Sequence, residues 1–163
     1  MRVQDVMMRT PASCRPETNL GAAVELLWER NCGMLPVVDA MQKVIGVVTD
    51  RDLSVAMGTR NRLPGEITVG NVMGEEVYTC SPQDDIHSAL ETMASRKIRR
   101  LPVVSQHGLL EGILSMDDVI LHTGTGSWTN SDLSQDTVIR TLKQIYGPPL
   151  PQIVRERRAA AVN

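Results

Sequence analysis

The sequence predicts an α+β fold built from two copies of a β-α-β-β-α unit, followed by one further helix near the C-terminus. Residues 3–54 align without a gap on residues 69–120, and 14 of the 52 aligned pairs are identical. Each half also combines a helical spacing of apolar residues with short β-branched runs. A unit of about 50 residues has little core of its own. The two units are therefore expected to pack through their sheets around a pseudo-twofold axis.

The composition excludes several classes of protein. The 163 residues are 42% hydrophobic and 22% charged, with a net charge of −2, which is typical of a soluble globular chain. The apolar runs are far shorter than the roughly 20 residues of a membrane span, and the N-terminus has no signal-peptide pattern. The small negative charge and the 2% of aromatic residues argue against nucleic-acid binding. Since the 3 cysteines are an odd number, we expect free thiols and a cytoplasmic location.

The first helix of each repeat is predicted by turn residues at 16–19 and 82–85, followed by apolar residues at i, i+3, i+4 and i+7. These apolar residues are Leu20, Ala23, Val24 and Leu27 in the first repeat, and Ile86, Ala89, Leu90 and Met93 in the second. We expect the two helices to end near Asn31 and Lys97.

Two strands and a second helix follow in each repeat. Short β-branched runs predict buried strands at 35–38 and 101–104, and after a polar turn at 44–49 and 109–115. Acidic residues then predict helices that begin at 50–52 and 116–118, because carboxylates suit a helix N-terminus.

These elements divide the chain into four parts. They are repeat 1 at 1–58, a linker at 59–68, repeat 2 at 69–122, and a linker, helix and tail at 123–163. A breaker at 123–127 precedes the last helix, which is predicted over 134–146, and Gly147, Pro148 and Pro149 end it. Its apolar side should carry Val138, Ile139, Leu142, Ile145 and Tyr146, and the tail carries Arg155, Arg157 and Arg158. The sequence leaves open whether this helix packs on its own module or on a neighbour.

Three short motifs occur in the same order in both repeats. They are Val-x-x-Val-Met at 3–7 and 69–73, Leu-Pro-Val-Val at 35–38 and 101–104, and Gly-x-x-Thr/Ser-x-x-Asp at 46–52 and 112–118. With this combination the chain resembles a stand-alone cystathionine-β-synthase (CBS) domain pair, also called a Bateman module, from residue 3 to about residue 122. The resemblance implies two clefts for adenosyl compounds such as AMP, ADP, ATP, S-adenosylmethionine or NAD. It also implies a homodimer.

The third motif suits a nucleotide. A hydroxyl and backbone N–H groups at a helix start suit a phosphate, and an aspartate can accept hydrogen bonds from both ribose hydroxyls. The resemblance implies that each cleft joins this motif of one repeat to a base-facing wall of the other. The first cleft would then contain Val47, Thr49, Arg51, Asp52, Met73, Ile98, Arg99 and Arg100. Because three of these are arginines, we expect a phosphorylated adenine nucleotide there.

The second cleft is expected to be weaker. It would join Ile113, Ser115 and Asp118 to Cys32, Gly33 and Met34. Asp117 occupies the position of Arg51, and no basic residue stands at the matching positions. Since a carboxylate repels a phosphate, this cleft should be empty, weak or suited to a less charged adenosyl ligand.

The leading hypothesis is a regulatory module that senses an adenine nucleotide and signals to an unknown partner protein. The chain has little room for an attached enzyme domain. It also offers no nucleophile with a base partner, no set of metal ligands and no Walker-type phosphate loop. We therefore expect no enzyme activity, no required cofactor and no metal site.

The alternative is an interaction or scaffold protein of the same fold that binds no nucleotide. Under this alternative Arg51 and Asp52 serve only as residues of a helix start. Cys14 and Cys80 stand at equivalent positions of the repeats and are interpreted as buried thiols.

Overall fold

The structure is a computed structural model that describes residues 1–124 and 133–148. The helices are Leu20–Glu29 (α1), Asp50–Thr59 (α2), Ile86–Arg96 (α3), Met116–Leu121 (α4) and Gln135–Tyr146 (α5). The strands are Met8–Arg9 (β1), Met34–Val38 (β2), Val44–Thr49 (β3), Arg100–Val104 (β4) and Leu110–Ser115 (β5). The predicted breaker residues 125–127, and the predicted tail with Pro149, Arg155, Arg157 and Arg158, lie outside the described residues.

The first helix of each repeat begins at the residue that its capping chemistry predicts. The Asn19 side chain accepts a hydrogen bond from the Ala22 N–H at 2.9 Å at the start of α1. The Asp85 carboxylate accepts one from the His87 N–H at 2.8 Å at the start of α3. Helix α3 ends at Lys97, whose φ of 56° turns the chain toward β4.

Each repeat contributes an antiparallel strand pair with the same register. Pro36 of β2 lies opposite Val47 of β3, and Pro102 of β4 lies opposite Ile113 of β5. A bridge between Lys43 and Leu109 links the two sheets. The α+β prediction with two related repeats and a C-terminal helix is therefore confirmed.

The N-terminal segment of each repeat docks on the other repeat. The Val3 N–H donates to the Asp84 carbonyl at 3.0 Å, and the equivalent Val69 N–H donates to the Thr18 carbonyl at 2.8 Å. Val3 is buried in the core of the second repeat, and Val69 in the core of the first. Ile67, in the predicted linker, is buried beside Val69.

The exchange also adds strand contacts between the repeats, whereas Cys14 and Cys80 bridge Val37 and Val103 of their own repeats. Strand β1 pairs with β5 of the other repeat, and Gly74 forms a single bridge with Val47. A two-stranded sheet is marginal on its own. The apolar N-terminal segment of one repeat therefore forms strand contacts with the other repeat and is also buried in that repeat's core.

Helix α5 packs on α3 of its own chain, which answers the question that the sequence left open. Its buried residues are Val138, Thr141 and Ile145, which follow the i, i+3, i+7 spacing of a single face. Ile139 and Tyr146, which were predicted on this face, are 50% and 65% exposed. Both residues lie at the edge of the buried face of α5, where the regular turn of the helix directs side chains toward solvent.

Candidate functional site

A cavity of about 470 Å³ lies between the two repeats, where β3 and the start of α2 face the segment that joins α3 to β4. We call it the interrepeat cavity. Its volume lies within the range of about 300–1,000 Å³ that small-molecule sites occupy. Its lining residues are Gly33, Met34, Val47, Thr49, Asp50, Arg51, Glu76, Tyr78, Lys97, Ile98, Arg99, Arg100, Pro102, Ile145 and Tyr146.

Six of the eight residues predicted for the first cleft line this cavity together. They are Val47, Thr49 and Arg51 of the first repeat, and Ile98, Arg99 and Arg100 of the second. Met73 is not among the lining residues. It packs against the core of the first repeat, and its sulfur lies 2.7 Å from the point where a Cβ on Gly46 would stand.

Asp52 does not line the cavity either, because its carboxylate is turned to the start of α2. Its Oδ2 accepts hydrogen bonds from the Thr49 N–H at 2.9 Å and from the Thr49 hydroxyl at 2.7 Å. The Asp52 N–H donates back to the Thr49 hydroxyl at 3.2 Å, which completes a capping box. Its other carboxylate oxygen, Oδ1, has no hydrogen-bond partner among the described residues.

The charge of the cavity lining favours an anionic ligand. Four cations and two carboxylates contribute to it, namely Arg51, Lys97, Arg99, Arg100, Asp50 and Glu76. Sequence reasoning missed Lys97, although it directly precedes the predicted run of 98–100. The available sequence signal was its positive charge directly before that run; the left-handed conformation of Lys97 at the end of α3 is known only from the structure.

Two of these cations hold the end of α5. The Lys97 ammonium donates to the Gly147 carbonyl at 2.7 Å and to the Pro148 carbonyl at 3.3 Å. The Arg99 Nη1 donates to the Tyr146 hydroxyl at 3.2 Å. These contacts explain why Ile145 and Tyr146 belong to the wall of the cavity.

Arg100 is shared between the cavity and the second repeat's helix start. Its Nη2 lies 3.8 Å from Oδ2 of Asp117, whose side chain is 80% exposed. The Arg100 guanidinium also lies against Gly33, where an added Cβ would stand 3.3 Å from it. Because Asp117 is largely exposed to solvent, this ion pair is weak, and the Arg100 guanidinium can also interact with a ligand in the cavity.

The backbone N–H groups at the start of α2 are already occupied. The Arg51 N–H donates to the Asp50 carboxylate at 2.8 Å, and the Asp50 N–H donates to the Gly33 carbonyl at 3.4 Å. The Asp52 N–H is engaged in the capping box described above. Phosphate contacts would therefore fall to the cationic side chains of the cavity rather than to the helix N-terminus.

Two tyrosines add aromatic surface that the sequence analysis did not assign to the site. The Tyr78 hydroxyl donates to the Glu76 carboxylate, and this hydrogen bond raises the pKa of Tyr78. The Arg96 guanidinium lies 4.4 Å from the centre of the Tyr78 ring. Tyr146 comes from α5, outside both repeats, so the internal alignment gave no signal for it.

The residues predicted for the second cleft are not brought together around either of the two cavities described. Ile113 and Ser115 are buried, and Ser115 forms with Asp118 the same capping box as its counterpart in α2. Cys32 lines a neighbouring groove of about 460 Å³ between α1 and α2, and Gly33 lines both that groove and the interrepeat cavity. Met34 lines the interrepeat cavity instead.

The cysteines are three free thiols. Burial raises the pKa of Cys14 to about 11 and that of Cys80 to about 12, so both remain protonated at neutral pH. The buried-thiol interpretation is confirmed. In residues 1–124 and 133–148, no cluster of three potential ligands could hold a metal ion, and none of the helices has the length and apolar character needed to cross a membrane.

Comparison with known proteins places the chain beside a defined family. The family model described as CBS domain matches residues 3–58 and 69–123. The CBS domain-containing protein YhcV of Bacillus subtilis is 32% identical over 133 residues, which cover 81% of this chain and 92% of YhcV. The chain spans only 24% of another relative, the inosine-5′-monophosphate dehydrogenase of Nitrosopumilus maritimus, to which it is 28% identical.

Two solved structures share the fold. CBSX2, solved in complex with AMP, is 30% identical with a TM-score of 0.65, and the match covers 74% of this chain and 93% of CBSX2. The CBS domain pair of protein MJ0100, solved with 5′-methylthioadenosine and S-adenosyl-L-methionine, is 22% identical with a TM-score of 0.68. That match covers 74% of this chain and 94% of the MJ0100 pair, and at this identity it bears on the fold alone.

Proposed function

Because the chain belongs to the CBS domain family, we propose that it is a regulatory module that binds an adenine nucleotide or a related adenosyl compound in the interrepeat cavity. AMP, ADP and ATP are the leading ligands, with S-adenosylmethionine and NAD as alternatives. Ligand binding would then change the placement of the repeats and pass a signal to a partner protein. Such a switch requires that the ligand bind one conformation more tightly than the other.

The observation that carries this proposal is that both repeats contribute residues to a single cavity, whose lining is partly apolar and partly cationic. The first repeat contributes the hydroxyl of Thr49 and the charge of Arg51, and the second contributes Ile98 and Arg99. An adenosine phosphate has the matching chemistry, with a flat base for the apolar wall and an anionic end for the cations. Neither repeat alone presents both halves of this surface.

One relative supports the same ligand class. CBSX2, which is 30% identical to this chain, was solved in complex with AMP. Because the N–H groups at the start of α2 are occupied, the cationic side chains of the cavity are the proposed phosphate contacts. A homodimer and a cytoplasmic location stay predictions from the sequence.

A second candidate function is that of an interaction or scaffold protein that binds no nucleotide. It is favoured by the local roles of the motif residues, because Thr49 and Asp52 cap α2 in the same way as Ser115 and Asp118 cap α4. Helix capping alone would therefore be a sufficient structural role for these four residues.

Calorimetric titration separates the two candidates. Nucleotide-stripped protein is titrated with AMP, ADP, ATP, S-adenosylmethionine and NAD, and its unfolding temperature is measured with each compound. We expect a micromolar Kd for at least one of them at one site per chain, because, of the two cavities described, the interrepeat cavity is the one lined by four cations. Two equal sites would retain the sensor and contradict the charge argument. No heat and no thermal stabilisation with any compound would favour the scaffold.

A matched pair of variants distinguishes ribose binding from helix capping. Asp52→Ala and Asp118→Ala each remove the same capping box, so both should lower the free energy of unfolding by about 1 kcal/mol. Asp52 does not line the cavity in this structure, so a ribose role requires its carboxylate to turn from the capping box toward the ligand; in that case only Asp52→Ala should also weaken nucleotide binding, by about tenfold or more. Equal affinities of the two variants would place the ribose elsewhere.

A further inference from the structure

The end of α5 forms a wall of the interrepeat cavity that belongs to neither repeat. Ile145 and Tyr146 both line the cavity. Ile145 is also buried in the core of the second repeat, which anchors the last turn of α5 against α3. The Tyr146 ring remains 65% exposed, so a molecule in the cavity would cover it further.

The same cations hold both this wall and the proposed phosphate position. Lys97 donates two hydrogen bonds to the carbonyls that follow α5, at 2.7 and 3.3 Å. Arg99 donates one hydrogen bond to the Tyr146 hydroxyl at 3.2 Å. We call these contacts the α5 latch. Because Lys97 and Arg99 belong both to the latch and to the cavity lining, they connect ligand binding in the cavity with the docking of α5.

We propose that the docked α5 is part of the nucleotide site, that Tyr146 contributes to ligand affinity, and that ligand binding stabilises the docked helix. The inference rests on the proposed function, because it names a wall and a regulated element of that same site. It extends the site beyond the two repeats. The ligand class is unchanged: an adenine nucleotide or a related adenosyl compound, whose flat base Tyr146 would contact.

The sign of this coupling follows from the hydrogen-bond donors that the latch leaves unused. An ammonium group has three donors and a guanidinium has five. Lys97 uses two of them and Arg99 uses one in the latch. Both side chains can therefore bind a phosphate without releasing α5. Since the cavity of about 470 Å³ is present while the helix is docked, a ligand can enter without displacing it.

Reciprocity then gives the regulatory consequence. If docking of α5 improves nucleotide affinity, nucleotide binding must favour docking of α5 by the same factor. The stability of the docked helix would then depend on whether the cavity holds a ligand. The amides of residues 134–148 would become more protected from hydrogen exchange when ligand is bound. An undocked α5 would expose Val138 and Ile145, which are buried in the docked state.

The full chain and three variants test this inference. AMP affinity is measured by calorimetry for the wild-type protein and for Tyr146→Ala, Tyr146→Phe and Ile139→Ala. Hydrogen exchange of the α5 amides is measured with and without AMP. Ile139→Ala is the matched control, because Ile139 is an exposed residue of the same helix and does not line the cavity.

We expect Tyr146→Ala to weaken AMP binding by about tenfold, as the loss of one aromatic contact to a base does elsewhere. Tyr146→Phe should retain most of the affinity, Ile139→Ala should retain all of it, and AMP should slow exchange in α5 of the wild-type protein. Unchanged affinity in Tyr146→Ala, or faster exchange of α5 with AMP, overturns this inference alone. If the wild-type protein binds neither AMP nor any other adenosyl compound, the proposed function fails and the inference fails with it.

Discussion

At the scale of single residues, departures from the repeat symmetry determine where a ligand can bind. Thr49 and Ser115 have the same capping role, yet Thr49 lines the interrepeat cavity while Ser115 is buried. One reason is the residue that the N-terminal segment of the other repeat places beside each strand. Val47 pairs with Gly74, which has no side chain, whereas Ile113 pairs with Met8. The two clefts thus differ in access as well as in charge.

The arginine at position 99 offers a test of the phosphate position. Arg99→Ala removes a cation that lines the cavity, so ATP and AMP should bind about tenfold more weakly, as expected for one hydrogen bond to a charged group. Adenosine affinity should change little, because adenosine has no phosphate. The measurement is calorimetric titration of each compound into the wild type and the variant.

The control for that test is Arg140→Ala, which removes an exposed arginine of α5 outside the cavity lining. It corrects for the change in net charge, and its affinities should match those of the wild type. An equal loss for ATP and adenosine in Arg99→Ala would contradict a phosphate role. It would indicate instead that the variant disturbs the α5 latch or the base-facing wall.

Fewer than half of the residues that line the cavity were predicted for it from the sequence, and the others were missed for physical reasons. Arg51 and Arg99 were found because alignment of the two repeats exposes charge differences at equivalent positions. Tyr146 was missed because its helix has no counterpart in the alignment, and its place depends on tertiary packing. The ribose role of Asp52 stays a prediction, because spacing alone does not distinguish a ribose acceptor from a helix cap.

At the scale of elements, the helices were easier to predict than the first strand. An i, i+3, i+4, i+7 stripe and a capping residue are local signals, and α1 and α3 begin where those signals lie. Strand β1 has two residues, and its pairing with β5 spans more than 100 residues of sequence. A local pattern does not contain such a pairing, so there was no sequence signal for β1.

Gly112 of β5 has no side chain, which allows the backbone of β1 to approach β5 closely. A Cβ on Gly112 would stand 2.8 Å from the Met8 carbonyl oxygen, whereas a Cβ on Gly46 would stand 2.7 Å from the Met73 sulfur and a less severe 3.1 Å from the Gly74 carbonyl oxygen. A thioether can move, but a paired backbone cannot. We expect Gly112→Ala to lower the free energy of unfolding by about 1–3 kcal/mol, and Gly46→Ala to lower it by less.

Urea denaturation of the three single variants Gly112→Ala, Gly46→Ala and Gly58→Ala measures this difference. Gly58 lies in α2, where an alanine methyl group would meet open space, so its replacement by alanine should stabilise the protein by about 0.4–1 kcal/mol. Equal losses for the two strand glycines would mean that the β1 backbone yields as readily as a methionine side chain.

At the scale of the whole molecule, the exchanged N-terminal segments make the two repeats one cooperative unit. Each core contains residues from both repeats, with Val3 in the second and Val69 in the first. Neither repeat can therefore complete its core without the other. A ligand that bridges the repeats acts on a structure in which a shift of one half is transmitted to the other by packing.

The exchange predicts a crossed pattern of local stability. Val3→Ala should lower the free energy of unfolding by roughly 2 kcal/mol, since two buried methyl groups are lost. Hydrogen exchange should accelerate more in α3 of the second repeat than in α1 of the first, because Val3 packs in the second core. Val69→Ala is the matched variant and should reverse this order, because its side chain packs with α1. If each variant instead loosens the helix of its own repeat, the cores are not exchanged in solution, and coupling between the repeats would depend on the Lys43–Leu109 bridge and on the ligand.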